Sequence, residues 1–410
     1  MANDTNRLWK LKDITTKISD GIHGTPKYST GTGIFFINGN NLVDGEIRIS
    51  RSTKEVDLNE YEKHKKLLDG STILMSINGT IGSLALYNGE QIVLGKSAAY
   101  INCADDLERK YLYYFLLCDQ TRARLLDELT GSTIKNLSLQ SIKDLQILTP
   151  PIPVQQRIVA MLETCDKLIN VSQVTIRVKR RLKDGLAEGL LTGAIRLPGF
   201  RSNWGSLKLG EVCTRINRKN SELNQNALTI SAQDGLVAQG EYFSKRIAAI
   251  DLSGYLLLHN GEFAYNKSYS KGYPMGAIKR LNAYKKGAVS TLYLAFTPTR
   301  IESDYLQHYF EQGLFNKVLS TVTQEGARNH GLLNISAVDF FDADVYVPLE
   351  PEEQIAIAQI LTAVDDEITT LERKLAIIKT QRKYLLNNLV TGKIRVPETL
   401  KPLAKEPTHA

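Results

Sequence analysis

The sequence predicts an α+β fold in which two globular domains are each followed by a long α-helix, the two helices forming an antiparallel coiled coil with pseudo-twofold symmetry. Three observations carry this. One pattern is stated twice, 199 residues apart: the first copy closes with Leu190-Leu191-Thr192-Gly193-Ala194-Ile195-Arg196-Leu197-Pro198, the second with Leu389-Val390-Thr391-Gly392-Lys393-Ile394-Arg395-Val396-Pro397. At the same offset Ile158, Leu162, Asp166, Ile169 and Leu186 meet Ile357, Leu361, Asp365, Ile368 and Leu385, without a gap over about forty residues. A repeat this long exceeds a solenoid unit and reads as a duplicated domain-plus-helix module. Finally, short β-like runs broken by Asn-Gly and Asp-Gly pairs lead into a helix ahead of each repeat, the pattern of a single-sheet α+β domain.

In chain order, residues 1–150 form the first globular domain and 151–198 the first long helix. Residues 199–347 form the second domain, 348–397 the second long helix, and 398–410 a polar, proline-bearing disordered tail. The globular segments, Leu8 to Thr149 and Trp204 to Val347, echo each other faintly. Trp9-Lys10-Leu11-Lys12-Asp13-Ile14 resembles the stretch from Trp204 through Leu209-Gly210-Glu211-Val212. Asp69-Gly70 precedes the β-like run Thr72-Ile73-Leu74-Met75, as Asn260-Gly261 precedes Phe263-Ala264-Tyr265. Tyr111 to Phe115 and Tyr305 to Phe310 each open a helix, followed by Leu129 to Leu137 in one domain and Glu325 to Leu332 in the other.

In the second long helix Ile357, Leu361, Val364, Ile368, Leu371, Leu375, Ile378, Arg382, Leu385 and Leu389 follow steps of four and three, a heptad seam broken by Arg382 alone. In the first helix the same register runs Ile158, Leu162, Cys165, Ile169, Ser172, Ile176, Lys179, Lys183, Leu186 and Leu190. That seam is weaker in its middle, and a second stripe through Leu168, Val171, Val178 and Leu182 is expected to replace it partly. Proline precedes each helix, at Pro150-Pro151-Ile152-Pro153 and Pro348-Leu349-Glu350-Pro351, where the first-turn N–H groups lack intrahelical partners anyway. A Thr-Gly pair stops each one. Roughly forty residues at 1.5 Å each make a rod of about 60 Å. Each rod must bury its seam on the other, and the repeat makes the pair antiparallel.

With 410 residues, 42% of them apolar, the chain can bury two ordinary cores and a coiled coil. Cys103, Cys118, Cys165 and Cys213 form neither a disulfide framework nor a zinc pattern, which points to a reducing compartment. No signal peptide or membrane-length apolar run stands out, so a cytoplasmic location is expected. The net charge of +7 is uneven: 0 over residues 1–150, +5 over 151–203, +2 over 204–347 and 0 over 348–410. Most of the excess sits around Arg177, Lys179, Arg180, Arg181 and Lys183. Near-neutral globular domains are weak phosphate binders by themselves.

Several catalytic readings fail. Gly89 to Ser97 resembles a phosphate-binding loop but has five residues between its glycines where the motif needs four. Pro150-Pro151 lacks the preceding Asn or Asp and the following aromatic of a motif that grips a flipped adenine, and no glycine-rich turn for a methyl-donor cofactor is present. Glu372-Arg373-Lys374 has a nuclease-like spacing but lies on the heptad helix. His23, His64, His259, His308, His330 and His409 never fall at metal-ligand spacing. The expectation is a non-catalytic chain with no metal and no cofactor of its own.

Two variable domains, each followed by a long helix ending in Thr-Gly-x-Ile-Arg-x-Pro, resemble the DNA specificity subunit of type I restriction–modification systems. The helix starts Pro153-Val154-Gln155-Gln156-Arg157-Ile158 and Pro351-Glu352-Glu353-Gln354-Ile355 are similar to that family's, and the resemblance covers essentially the whole chain. It implies two target-recognition domains held apart by an antiparallel coiled coil, each reading half of a split, asymmetric site on double-stranded DNA. It further implies two methyltransferase subunits that bind S-adenosylmethionine and methylate adenine N6, with motor-nuclease subunits adding cleavage and hence phage defence. A rigid rod suits such a site, because it sets the distance between readers better than a flexible linker and its length would set the spacer. The alternative kept open is a specificity factor for a methylation-only system.

Polar or basic side chains in glycine-punctuated loops are the candidate base readers, since Arg to guanine and Asn to adenine are the strong major-groove pairings. In the first domain these are His23, Gly24, Thr25, Lys27, Asn78, Thr80, Lys96, Ser97, Ser132, Thr133 and Lys135. In the second they are Arg218, Lys219, Lys267, Ser268, Tyr269, Ser270, Lys271, Arg328, Asn329 and His330. Partner contacts are expected along the exposed helix faces and at the Thr192-Gly193 and Thr391-Gly392 corners.

Overall fold

The computed structural model describes residues 7–130, 135–201, 203–242, 251–268, 272–322 and 333–399; from residue 400 onward the expected tail lies outside the described residues. The chain divides into two compact units, residues 1–173 with 374–410, and residues 174–373. Each unit takes part of both long helices and has its own core.

The first unit is built on a four-stranded antiparallel sheet in the order Thr15–Asp20, Ala98–Cys103, Thr72–Ser76, Leu84–Leu86. Its two middle strands are buried at every residue, so both faces must be covered. Because side chains alternate along a strand, Ile73, Met75, Ala99 and Ile101 face one core with Tyr111, Leu112, Ile158 and Leu162. Leu74, Ala98 and Tyr100 face another with Ile37, Leu42, Ile92 and Leu94. The polar members of the buried strands are satisfied: Thr72 donates to Asn102 Oδ1 at 2.9 Å, and Asn102 Nδ2 donates to the Leu67 carbonyl at 2.8 Å. A ribbon of Arg7–Lys10 with Gln146–Thr149 brings the domain's two ends together just before the helix.

The second unit repeats this frame. Its sheet runs Cys213–Arg215, Leu294–Pro298, Phe263–Asn266, Ala277–Arg280, and Trp204–Lys208 pairs with Asp344–Pro348 as the closing ribbon. Aromatic rings fill its core, with Phe263 stacked on Phe296 at 5.3 Å and Tyr265 on Phe340 at 4.8 Å.

The long helices span Ile152–Leu191 and Pro351–Leu389 and are antiparallel within each unit. In the first unit Ile158 and Leu162 share a core with Leu386 and Leu389; in the second Ala187 and Leu190 share one with Ile357 and Leu361. The seam positions read from the heptads are all buried or half-buried. The expected second stripe is not: Leu168, Val171, Val178 and Leu182 are 50%, 62%, 57% and 49% exposed. The seam never needs to switch, because its three basic positions meet carboxylates from the opposite helix. Lys179 pairs with Glu367 at 2.8 Å, Lys183 with Asp365 at 2.7 Å and Arg382 with Asp166 at 2.9 Å, while their aliphatic stems cover apolar surface. Arg180 reaches Glu372 in the same way, so part of the basic face is neutralised and the nuclease-like spacing is spent on a cross-helix ion pair. No helix among the described residues is long and apolar enough to cross a membrane.

Candidate nucleic-acid interface

Each domain is bolted to its helix by a glutamine. Gln155, 1% exposed, donates to the carbonyls of Pro150 at 2.8 Å and Asp106 at 3.1 Å and accepts from the Glu108 N–H at 2.8 Å. Gln354, 199 positions on, donates to the Pro348 carbonyl at 2.8 Å and accepts from the Glu302 N–H at 2.8 Å. Both carry the helix start against the loop that opens the domain's own helix. The heptad count passed over them because each is polar, yet their offset equals that of the repeat. The far corners also match: Thr192 and Thr391 each donate to the carbonyl four residues back at 2.6 Å, and Gly193 and Gly392 have φ of +74° and +71°.

With the sheet anchored to its helix, antiparallel register decides which loops meet. Asp20 lies opposite Ala99 and Ala98 opposite Ser76, so the loops leaving Asp20 and Ser76 and the loop arriving at Ala98 share one end of the first sheet. His23, Gly24, Thr25, Lys27, Asn78, Thr80, Lys96 and Ser97 lie on these three loops, and Lys135 joins them through a bridge between Asn78 and Asn136.

Their chemistry divides. Ser97 donates to Asn38 Oδ1 at 2.9 Å and accepts from the Gly39 N–H at 2.9 Å, and Thr80 donates to the Gly39 carbonyl at 3.1 Å. These hydroxyls lock the loops together. Lys27, Lys96, Lys135 and Thr25 are exposed and form the outward edge, while exposed His23 is tethered to Asp20 Oδ2 at 2.8 Å. Gly24 has open space where a Cβ would stand. The sequence reading missed Asn38 and Gly39, which sit at the crossing itself. A Cβ on Gly39 would fall 2.1 Å from Ser76 Oγ, and one on Gly95 2.3 Å from Asn38 Oδ1. The available signal was the polar run Asn38-Gly39-Asn40-Asn41, read only as a strand break.

In the second unit the corresponding sheet end lies beyond Asn266. Lys267 and Ser268 are there, Lys267 donating to the Ile335 carbonyl at 2.6 Å and Ser268 N–H to Asn266 Oδ1 at 3.0 Å. Burial, with Arg215 nearby, holds the Lys267 ammonium below its ordinary pKa. Arg218 and Lys219 are elsewhere. Arg218 grips Glu262 Oε2 at 2.6 Å and the Leu257 carbonyl, which fixes it to the start of the Phe263–Asn266 strand, and Lys219 caps the Gly254 carbonyl at 3.0 Å. At about 3.3 Å per residue, the length of that strand separates Glu262 from Lys267 by roughly 16 Å. Arg215, exposed and absent from the sequence reading, is the basic residue whose charge acts on Lys267, although its backbone pairs with Phe296 in the row of Phe263. Ser132, Thr133, Tyr269, Ser270, Lys271, Arg328, Asn329 and His330 lie outside the described residues.

Folding also assembles groups that the sequence keeps apart. His308, Glu311 and Asp365 bring ligand atoms within 4.8 Å of one another, a spacing no scan of the histidines anticipated. Lys183 already supplies a positive charge to Asp365 there. The Cys103 and Cys213 thiols are pushed up to about 12 by burial, which keeps them protonated and unreactive.

A family model described as the type I restriction modification DNA specificity domain matches residues 8–179. The chain is also 26% identical over 342 residues to the specificity subunit of the type I restriction enzyme MjaVIII of Methanocaldococcus jannaschii, covering 75% of this chain and 77% of that one. Over these stretches the chain is similar to type I restriction–modification specificity subunits. A putative specificity subunit of the MjaX enzyme from the same organism is 23% identical over 421 aligned residues, covering 94% of this chain and 93% of its own. Among solved structures, a type I restriction–modification S subunit from M. genitalium aligns with a TM-score of 0.55 over 95% of this chain and 97% of that one. At 16% identity that likeness is one of fold. The match at 8–179 takes in the first sheet-end loops and the start of the first long helix, and the internal repeat carries the same frame into the second unit.

Proposed function

We propose that this chain is the DNA-reading subunit of a type I restriction–modification complex, each globular domain recognising one half of a split, asymmetric site. One observation carries the reading: the same sheet, closing ribbon, glutamine bolt and Thr-Gly corner occur twice, while the loops beyond the sheet ends carry different side chains, His23, Asn78 and Lys96 in one unit and Lys267 and Ser268 in the other. A frame that repeats under loops that diverge is what two different half-sites require. In the first domain the exposed lysines Lys27, Lys96 and Lys135 supply phosphate contacts, and base contacts come from the neighbouring His23, Thr25 and Asn78, together with Ser132 and Thr133. In the second, Arg215 and Lys267 take the first of these roles, with Ser268 to Lys271 and Arg328 to His330 assigned to the bases. Arg218 and Lys219 hold that domain's frame.

Methyltransferase subunits carrying S-adenosylmethionine supply the chemistry on adenine N6, and motor-nuclease subunits add cleavage. The near balance of charge in both domains leaves much of the phosphate contact to these partners. Methylome sequencing of a host with and without the gene tests this. The expected result is loss of one bipartite motif with a fixed spacer; an unchanged methylome in a strain that expresses the complex refutes it. Purified chain incubated with S-adenosylmethionine and DNA, without partners, is expected to transfer no methyl group.

A further inference from the structure

The turn after each long helix is built to the same plan in both units. Ile195 N–H donates to the Gly189 carbonyl at 2.9 Å, and Ile394 N–H, 199 positions on, to that of Asn388 at 3.2 Å. An arginine follows each, Arg196 in one unit and Arg395 in the other. Arg196 grips Glu353 through two parallel bonds, Nε to Oε1 at 2.8 Å and Nη2 to Oε2 at 2.9 Å, and Glu353 is fully buried in the first turn of the second long helix.

The first unit lacks that carboxylate. Val154 occupies the position equivalent to Glu353, and Arg157 occupies that of Ala356, so a valine stands in place of the balancing acid and a second arginine follows three residues on. Arg157 Nε is buried without a hydrogen-bond partner among the described residues. Val154, Arg157 and Arg395 line a cavity of about 100 Å³ together with Tyr111, Val396 and Glu398. Glu398 is exposed, and the Tyr111 hydroxyl is committed to the Leu148 carbonyl at 2.7 Å. The cavity also adjoins the N-terminal turn of the first long helix, where the aligned peptide dipoles favour negative charge.

We propose that this cavity is a binding site for a small carboxylate, held by Arg157 and Arg395 in the place that Glu353 fills in the other unit. A planar two-oxygen anion matches the guanidinium fork and satisfies the orphaned Nε–H. Its occupancy ties the segment after the second long helix to the first turn of the first.

The test is thermal unfolding of the full chain in acetate against chloride at constant ionic strength, with amide exchange of residues 389–398 read in the same samples. Acetate should raise the melting midpoint saturably and slow exchange in that segment. Arg157→Gln should bind acetate at least about tenfold more weakly, the scale of one lost charge-assisted hydrogen bond. Val154→Glu, which returns the carboxylate in cis, should raise the midpoint without acetate and abolish the response, and it keeps the test decisive should Arg157→Gln fail to fold. Equal midpoints and exchange in acetate and chloride for the natural chain, or a response undiminished in both variants, would overturn the proposal.

Discussion

Replacing Gln155 with Met tests whether the domain-to-helix joint is a polar bolt or mere packing. The two side chains are close in volume, so the substitution removes the amide and little else. Three hydrogen bonds vanish, and the Pro150 carbonyl, whose bond is wholly buried, is left without a partner. The Asp106 carbonyl and Glu108 N–H are part-buried and recover some hydration. At about 1–3 kcal/mol for a stranded buried group, with the other two counted at the low end, the cost is about 2–4 kcal/mol. Global melting is a poor readout, since two units need not unfold in one step. Native-state amide exchange in peptides covering 104–112 and 148–160 reports the joint directly, and 2–4 kcal/mol corresponds to a loss of protection of about 30- to 1,000-fold. The second unit is an internal control: its peptides around Glu302 and Gln354 should be unchanged, and Gln354→Met should reverse the pattern. Less than about fivefold change at the mutated joint would refute the bolt.

Three further expectations follow from the same geometry. With the methyltransferase complex on cognate DNA, Lys96→Ala and Lys27→Ala should each flatten the dependence of log affinity on log salt by about 0.9 if each touches one phosphate; unchanged slopes in anisotropy titrations would remove them from the interface. Burial holds the His308 imidazole below its ordinary pKa of 6.5, so the unfolded chain takes up a proton that the folded one resists. The stability of the second unit should therefore be intact above about pH 6.5 and fall as pH drops below it. His308→Tyr mimics Tyr114, which donates to Asp166 at 2.8 Å, and should flatten that pH dependence in melting curves; an unaltered profile assigns it to other groups. Gly39→Ala puts a Cβ on Ser76 Oγ and should destabilise the first unit by about 1–3 kcal/mol in denaturant titration, with little effect on the second.

How much was legible in advance depended on the range of the interaction. Heptad spacing exposed the seam because residues three and four apart share a helix face whatever surrounds them. The same rule failed for Leu168, Val171, Val178 and Leu182, since local spacing cannot reveal that Lys179 and Lys183 meet acids on a helix nearly two hundred residues away. Loop composition identified His23, Lys27, Asn78 and Lys96, whose loops the register of the first sheet does bring together. It chose Arg218, which is held on Glu262, and passed over Arg215, whose charge acts on Lys267. Three residues of chain decided that, because the backbone leaves the sheet at Ile216 and carries Arg218 to Glu262.

By itself the sequence determined that the chain is a domain-plus-helix module written twice, that its helices carry a seam ending in a Thr-Gly corner, and that it resembles the specificity subunits of type I restriction–modification systems. These are statements about order and period, which survive without coordinates. Only the tertiary structure decided which acid meets each seam cation, which loops share a sheet end, and that Arg196 has a buried glutamate while Arg395 faces a cavity. Each of those depends on pairing between segments far apart in the chain, and such pairing is settled by register and packing rather than by neighbours in sequence.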